Sequence, residues 1–176
     1  MIPVDPSGCA RKIIDVHGQT GVAWLARLPA LVADVAARWS LIVLPPFPEL
    51  SYNYVAPVMG PGGAPLVLKA GVPHRELWDE MDALRLYDGR GIAHLVAADR
   101  ERGVLLLERV LPGESLRTVA DDEQTHVVAE VLRGLAGVAL PDGHPFRTIG
   151  HLARGFERLR ATFGNTGPFP AERVAR

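Results

Sequence analysis

The chain has 176 residues, 22% of them charged, and a formal net charge of −1. That length suits one domain with a sizeable core, and the mixed charge provides no basic stripe for nucleic acid. A single cysteine, Cys9, excludes an internal disulfide and suits a reducing cytoplasm, while the longest unbroken aliphatic run, Leu41 to Leu44, is far too short to span a bilayer.

The first eighteen residues carry Asp5, Arg11, Lys12 and Asp15 and lack the apolar stretch of a secretory signal. Residues 1–20 read as a leader that need not be ordered, with Cys9 a poor candidate nucleophile. Val22 to Trp39 places apolar residues at Val22, Leu25, Leu28, Val32, Val35 and Trp39, an amphipathic helix in which Pro29 is the expected kink. Ser40 to Pro48 is a proline-rich crossing, Tyr52 to Met59 a strand, and Gly60-Pro61-Gly62-Gly63-Ala64 a turn. That turn lacks the G-x-G-x-x-G pattern; flexible connection is its commoner meaning, and phosphate contact between Asn53 and Lys69 the alternative.

The next strand, Pro65 to Lys69, ends on one of only two lysines among nineteen basic residues. A chain that uses arginine almost everywhere has placed here a compact ammonium rather than a guanidinium fork. Strand-borne lysines of this kind orient the α and β phosphates of ATP in nucleotide-dependent kinases. A strand-end lysine reaching for water is the bland alternative. The helical stretch His74 to Tyr87 adds weight to the first. Counted from Leu77 at 100° per residue, Met81 falls at about +40° and Leu84 at about −20°, which defines the buried face. Glu80 falls at about −60° and Glu76 at about −100°, so Glu80 is the first candidate to hold Lys69 and Glu76 the reserve.

Asp88 to Gly91 breaks that helix, Ile92 to Ala98 reads as a strand, Asp99 to Gly103 as a turn and Val104 to Val110 as another strand. Strand, turn, strand with lysine, helix with glutamate and hairpin is the order of the small lobe of a protein-kinase-like fold. In such a lobe Leu105 to Val110 runs into the hinge, with Leu107 as gatekeeper and the Glu108 carbonyl and Val110 amide reading the adenine edge. Pro112-Gly113 turns the chain away, and Ser115 can cap a short helix. Asp121-Asp122-Glu123 then opens a helix with the stripe Val127, Val128, Val131, Leu132, Leu135 and Val138. A further stripe follows at Ile149, Leu152, Phe156, Leu159 and Phe163, and His126, His144 and His151 show no metal-ligand grouping.

Four stretches, Leu50 to Val55, Val67-Leu68-Lys69, Ala83 to Gly91 and Gly103 to Arg109, together with Phe163 to Pro168, resemble the aminoglycoside 6-phosphotransferase and hydroxyurea phosphotransferase family. The resemblance runs from about Trp24 to the C-terminus. It implies ATP as cofactor, magnesium in the full-length enzymes and a small-molecule hydroxyl acceptor of aminoglycoside type. It also implies that the pair around Ser51 and Asn53 covers the nucleotide. Members carry a loop resembling His-Gly-Asp-x-x-x-x-Asn, with the Asp as base and the Asn on magnesium. Here His17-Gly18 is followed by Gln19, His144 by Pro145 and His151 by Leu152, and the only asparagines are Asn53 and Asn165. No catalytic residue and no metal ligand can therefore be named, and a C-terminal truncation is expected.

The sequence thus predicts an α+β, protein-kinase-like small lobe over 21–110 with an N-terminal helix, then a hinge and the first helices of an incomplete large lobe over 111–176. The cofactor-binding candidates are Lys69, Glu80, Glu108 and Val110. The expected function is ATP-dependent phosphorylation of an alcohol group on an aminoglycoside-type antibiotic. The rival is an inactive nucleotide-binding or interaction protein. No membrane or nucleic-acid partner is expected, and the oligomeric state and the identity of the acceptor stay open.

Overall fold

The structure is a computed structural model that describes residues 8–147 and 149–164. It divides into two compact units, Met1–Ala139 and Leu140–Arg176. The first unit is built on a five-stranded antiparallel sheet of order β1-β2-β3-β5-β4. Its strands are β1 (Ile42–Val43), β2 (Tyr54–Met59), β3 (Pro65–Ala70), β4 (Leu95–Asp99) and β5 (Val104–Glu108). Helix α1 (Cys9–Trp39) precedes the sheet, α2 (Arg75–Tyr87) joins β3 to β4, and α3 (Asp121–Ala136) follows β5. The α+β class and the element order agree with the sequence reading and with a kinase-type small lobe.

The pleat sorts side chains between two layers. Tyr54, Ala56 and Val58 on β2, Leu68 and Ala70 on β3, and Val104 and Leu106 on β5 share a core with Trp24, Leu28, Val32 and Val35 of α1. The opposite face carries Val55, Val67, Lys69, Leu105 and Leu107, matched across the ladder as Val55 with Lys69, Lys69 with Leu105 and Val67 with Leu107. Helix α2 covers only part of this second face, packing Leu77, Met81 and Leu84 around Leu105. The three residues read from periodicity as its buried side are the three that are buried.

Helix α1 departs from its sequence reading at three points. It starts at Cys9 rather than Val22, and Cys9 and Ile13 are fully buried, so from Cys9 onward the stretch expected as a leader packs into the core. Residues 1–7 lie outside the described residues. Its backbone breaks at Gly18 (φ 55, ψ −133), not at Pro29. At Gly21 a Cβ would stand 2.8 Å from the Ile13 carbonyl oxygen, so only glycine lets the two arms meet this closely. Its buried arc holds Trp24 instead of Val22. Relative to Leu28, Trp24 lies at about −40° and Val22 at about +120°, and Val22 is exposed. By length and composition α1 could cross a membrane, but its Trp24, Leu28, Val32 and Val35 are all engaged with the sheet.

Smaller differences have local causes. Helix α2 ends where Asp88 adopts a left-handed conformation (φ 49) and its amide reaches the Leu84 carbonyl. The first strand of the hairpin starts at Leu95 rather than Ile92, after a run with positive φ at Gly89 and Gly91. Its register slips at Val96 in a β-bulge. Ser115 caps a single 3-10 turn, its hydroxyl accepting from the Arg117 amide. The apolar stripe of α3 stays open: no α3 residue is buried, and Val128, Val131 and Leu132 are exposed.

Gly103 is a tightly enclosed backbone position beside the sheet. It closes the β4–β5 turn at φ 70, and a Cβ there would collide with the Gly71 carbonyl oxygen. The Gly71 amide in turn donates to the Gly103 carbonyl at 2.9 Å. Gly103→Ala should therefore strain a left-handed residue and disturb that bond, costing about 2–4 kcal/mol. Denaturant unfolding of the variant would measure the loss.

In the second unit, α4 (Ile149–Phe163) carries an exposed Phe163, and the His144 and Phe146 rings stack at 5.7 Å. Burial of Ile149, Leu152 and Phe156, and the matching segment from Asn165 to Pro168, lie outside the described residues.

Candidate nucleotide site

Lys69 stands on the half-covered face of the sheet, one residue before the end of β3. Its ammonium donates to both oxygens of Glu80, at 2.6 Å to Oε1 and 2.8 Å to Oε2. Both bonds are short and charge-assisted. Glu76, the reserve partner, turns instead towards His74, with Oε2 3.8 Å from Nε2. The lysine side chain is 19% exposed and the glutamate 36%, so the pair sits at the mouth of a cleft rather than sealed in the core.

Helix α2 is fixed against rotation from its outer side as well. Arg100 donates to both oxygens of Asp82 at 2.9 and 3.1 Å, its guanidinium lies 5.3 Å from the Trp78 ring centroid, and Trp78 Nε1 donates to the Arg100 carbonyl at 3.1 Å. The β4–β5 turn thereby holds the helix that presents Glu80.

A cleft of about 290 Å³ opens over Lys69, lined by Phe47, Leu50, Tyr52, Asn53, Val55 and Lys69 among others. Its roof is the loop between β1 and β2. Chain pairing continues past β1, with the Leu44 amide donating to the Pro57 carbonyl and the Phe47 amide to the Val55 carbonyl, so residues 48–53 form the tip of a hairpin. The turn at 60–64 closes the opposite end of β2 and β3, where Met59 pairs with Pro65. That turn therefore lies at the far end of the β2–β3 pair from Lys69, and the 48–53 loop is the one beside it.

The hinge candidates lie at the end of β5. Glu108 is its last residue, aligned with Leu66, and its amide donates to the His94 carbonyl at 3.0 Å. The expected strand stops there instead of at Val110. Val110 lies beyond it, exposed, and the chain turns back so that a Cβ on Gly113 (φ 75) would stand 3.0 Å from the Val110 carbonyl oxygen. On the adjoining face Val55, Val67 and Leu107 form an apolar strip beside Lys69.

Other residues at the site escaped the sequence reading. Asn53, which the family resemblance places in the nucleotide-covering segment, lies just before β2 and lines this cleft and a neighbouring one of about 330 Å³, which is also lined by His17, His74 and Glu80; it is His17 and His74 that no sequence reading placed there. The Asn53 side-chain oxygen fills the space above Gly71. No periodicity or spacing links these residues; the fold-back of α1 at Gly18 brings His17 to them. Among the described residues no three His, Cys, Asp or Glu side chains converge where they could hold a metal ion.

A sheet with a strand lysine held by a helix glutamate, roofed by a hairpin loop and bordered by a short connecting segment, is the arrangement of a kinase-type small lobe. The chain belongs to the aminoglycoside/hydroxyurea antibiotic resistance kinase family, which matches residues 44–166. It is 32% identical over 149 residues to a streptomycin 6-kinase of Streptomyces glaucescens and 34% identical to one of Streptomyces griseus; each match covers 84% of this chain and 48% of the relative. A hydroxyurea phosphotransferase of Kitasatospora aureofaciens is 36% identical over 141 residues, covering 78% of this chain and 41% of the relative. The chain thus spans about half the length of these curated relatives. No solved structure matches it significantly.

Proposed function

We propose that this chain is the nucleotide-binding part of an ATP-dependent phosphotransferase whose acceptor is a hydroxyl of an aminoglycoside-type small molecule. The observation that carries the reading is the two-oxygen ion pair of Lys69 with Glu80 at the mouth of a cleft, supported by the family match. Held by Glu80, the Lys69 ammonium is a fixed point charge for the α and β phosphates. Val55, Val67 and Leu107 supply an apolar surface for the adenine ring. The Glu108 carbonyl and the Val110 amide are its hydrogen-bonding edge, and the 48–53 loop shields the phosphates. Residues 111 onward are proposed to begin a helical lobe, and the cytoplasm, where ATP is plentiful, is the proposed location.

Magnesium fits less well. The described residues offer no converging ligand set, so no step is assigned to a metal held by this chain. The absence of a His-Gly-Asp-x-x-x-x-Asn loop in these 176 residues favours a second reading, in which the chain binds nucleotide without transferring phosphate.

Titrating the chain with a fluorescent ATP analogue tests what both readings share. Saturable binding that unlabelled ATP displaces is expected, with slowed hydrogen exchange at Val67 to Lys69 and Leu107 to Val110. Absence of binding at millimolar nucleotide would remove the proposal.

A further inference from the structure

We propose that the arm Cys9–His17 is a positioning strut for the Lys69–Glu80 pair, tying the 48–53 loop to α2, with the His17–His74 contact as its releasable end. The proposal rests on the nucleotide reading above and adds a control element to it. Three contacts carry it. The Cys9 thiol reaches the Asn53 carbonyl at 3.7 Å, Lys12 Nζ donates to the Leu50 carbonyl at 3.4 Å, and the His17 and His74 rings meet edge to face at 4.9 Å and 73°. The first two grip the loop that roofs Lys69. The third grips the residue that precedes α2, the helix bearing Glu80. The chain's only two lysines thus stand on this one device, Lys69 beneath the loop and Lys12 holding it from behind.

The arm reaches this place because of its local backbone. Gly18 turns the chain, and the close approach of Gly21 to the Ile13 carbonyl locks the fold-back. Buried Cys9 and Ile13 anchor it in the core, while His17 is only half-buried at its end. The loop and α2 are separate segments, connected along the chain through β2 and β3. A strut touching both limits their independent motion, and so narrows the spread of distances between Lys69, Glu80 and a phosphate under the loop.

The His17 end is sensitive to protonation. Burial and the facing His74 hold the His17 pKa below its ordinary value, and Glu76 opposes them more weakly. Tyr52 and Glu80 line the same cleft, Glu80 being engaged by Lys69. His74 Nδ1 lies 2.7 Å from the Val72 carbonyl, to which it can only donate, which fixes its ring against the strand end. Because the docked His17 prefers to be neutral, docking is strongest above its ordinary pKa of 6.5 and weakens as pH falls through the lowered value.

The test uses the whole chain, comparing wild type, Lys12→Ala/His17→Ala and His17→Phe, which keeps an aromatic edge without a charge. Affinity for the fluorescent ATP analogue and amide protection factors at 48–53 and 75–80 are measured at pH 7.5 and 5.5, with thermal unfolding as the check on folding. The double variant should bind about fivefold or more weakly and lose protection in both segments while β3 and β5 stay protected. Wild type should show the same two losses on going to pH 5.5, and His17→Phe should resist them. Unchanged protection in the double variant, or a pH response that persists in His17→Phe, would overturn the strut. If wild type binds no nucleotide, the nucleotide reading fails, and the protection factors alone decide the strut.

Discussion

Incubated with Mg-ATP and streptomycin, the 176-residue chain is expected to release no acceptor-dependent ADP. Phosphoryl transfer needs a group to take the hydroxyl proton and cations to neutralise charge on the transferring phosphate. The chain supplies one cation, Lys69, but its three relevant histidine contexts, His17-Gly18-Gln19, His144-Pro145 and His151-Leu152, contain no Asp to act as base. The described residues hold no metal-ligand trio either. A general base alone contributes about 10²–10⁴ in rate, and a bound metal several further kcal/mol. The combined loss places turnover about 10⁵-fold or more below that of a complete site. A coupled ADP assay with and without acceptor measures it, and acceptor-dependent release above the blank would overturn the expectation.

Replacing Lys69 with Ala should weaken ATP binding about 10- to 100-fold, the equivalent of one charge-assisted contact to phosphate. Stability should change far less. Glu80 is 36% exposed, so water can take over from the lost ammonium, and an exposed pair of this kind contributes about 1 kcal/mol or less. Glu80→Gln should weaken binding by a smaller factor, because Lys69 keeps its charge and loses only its anchor. Lys69→Arg should not restore affinity, since the guanidinium fork is longer and directs its donors differently. Isothermal titration beside thermal unfolding separates the two effects. Equal losses of binding and stability would assign Lys69 a structural role.

The site pair was legible because each half is written in a local period. Lys69 closes an apolar run, and Glu80 lies on the flank of the arc set by Leu77, Met81 and Leu84, so two short stretches of chain suffice to place both groups. The α2 face was readable for the same reason. Helix α1 was harder. The glycine at 18 interrupts its period, and the proline-, serine- and glycine-bearing start resembles a tail, yet Cys9 and Ile13 are in the core. His17 meets Asn53 and His74 only through that reversal. Contacts made by a single backbone turn between distant residues leave no periodic trace, and the cleft they line was correspondingly invisible.

The slip of register at Val96 bears on how this sheet keeps to itself. An open strand edge presents unpaired amides and carbonyls to any other extended chain, and an antiparallel sheet of five strands has two such edges. One edge here is β1, only two residues long and followed by Pro45, Pro46 and Pro48, which cannot offer a regular row of donors. The other is β4, where the extra residue bends the strand and the end is drawn aside by Asp99, which accepts from Arg38 of α1 at 3.1 Å. Neither border gives a flat template of more than a few residues, so fibril-like growth by strand addition is obstructed at both, even with Val96 itself open to solvent.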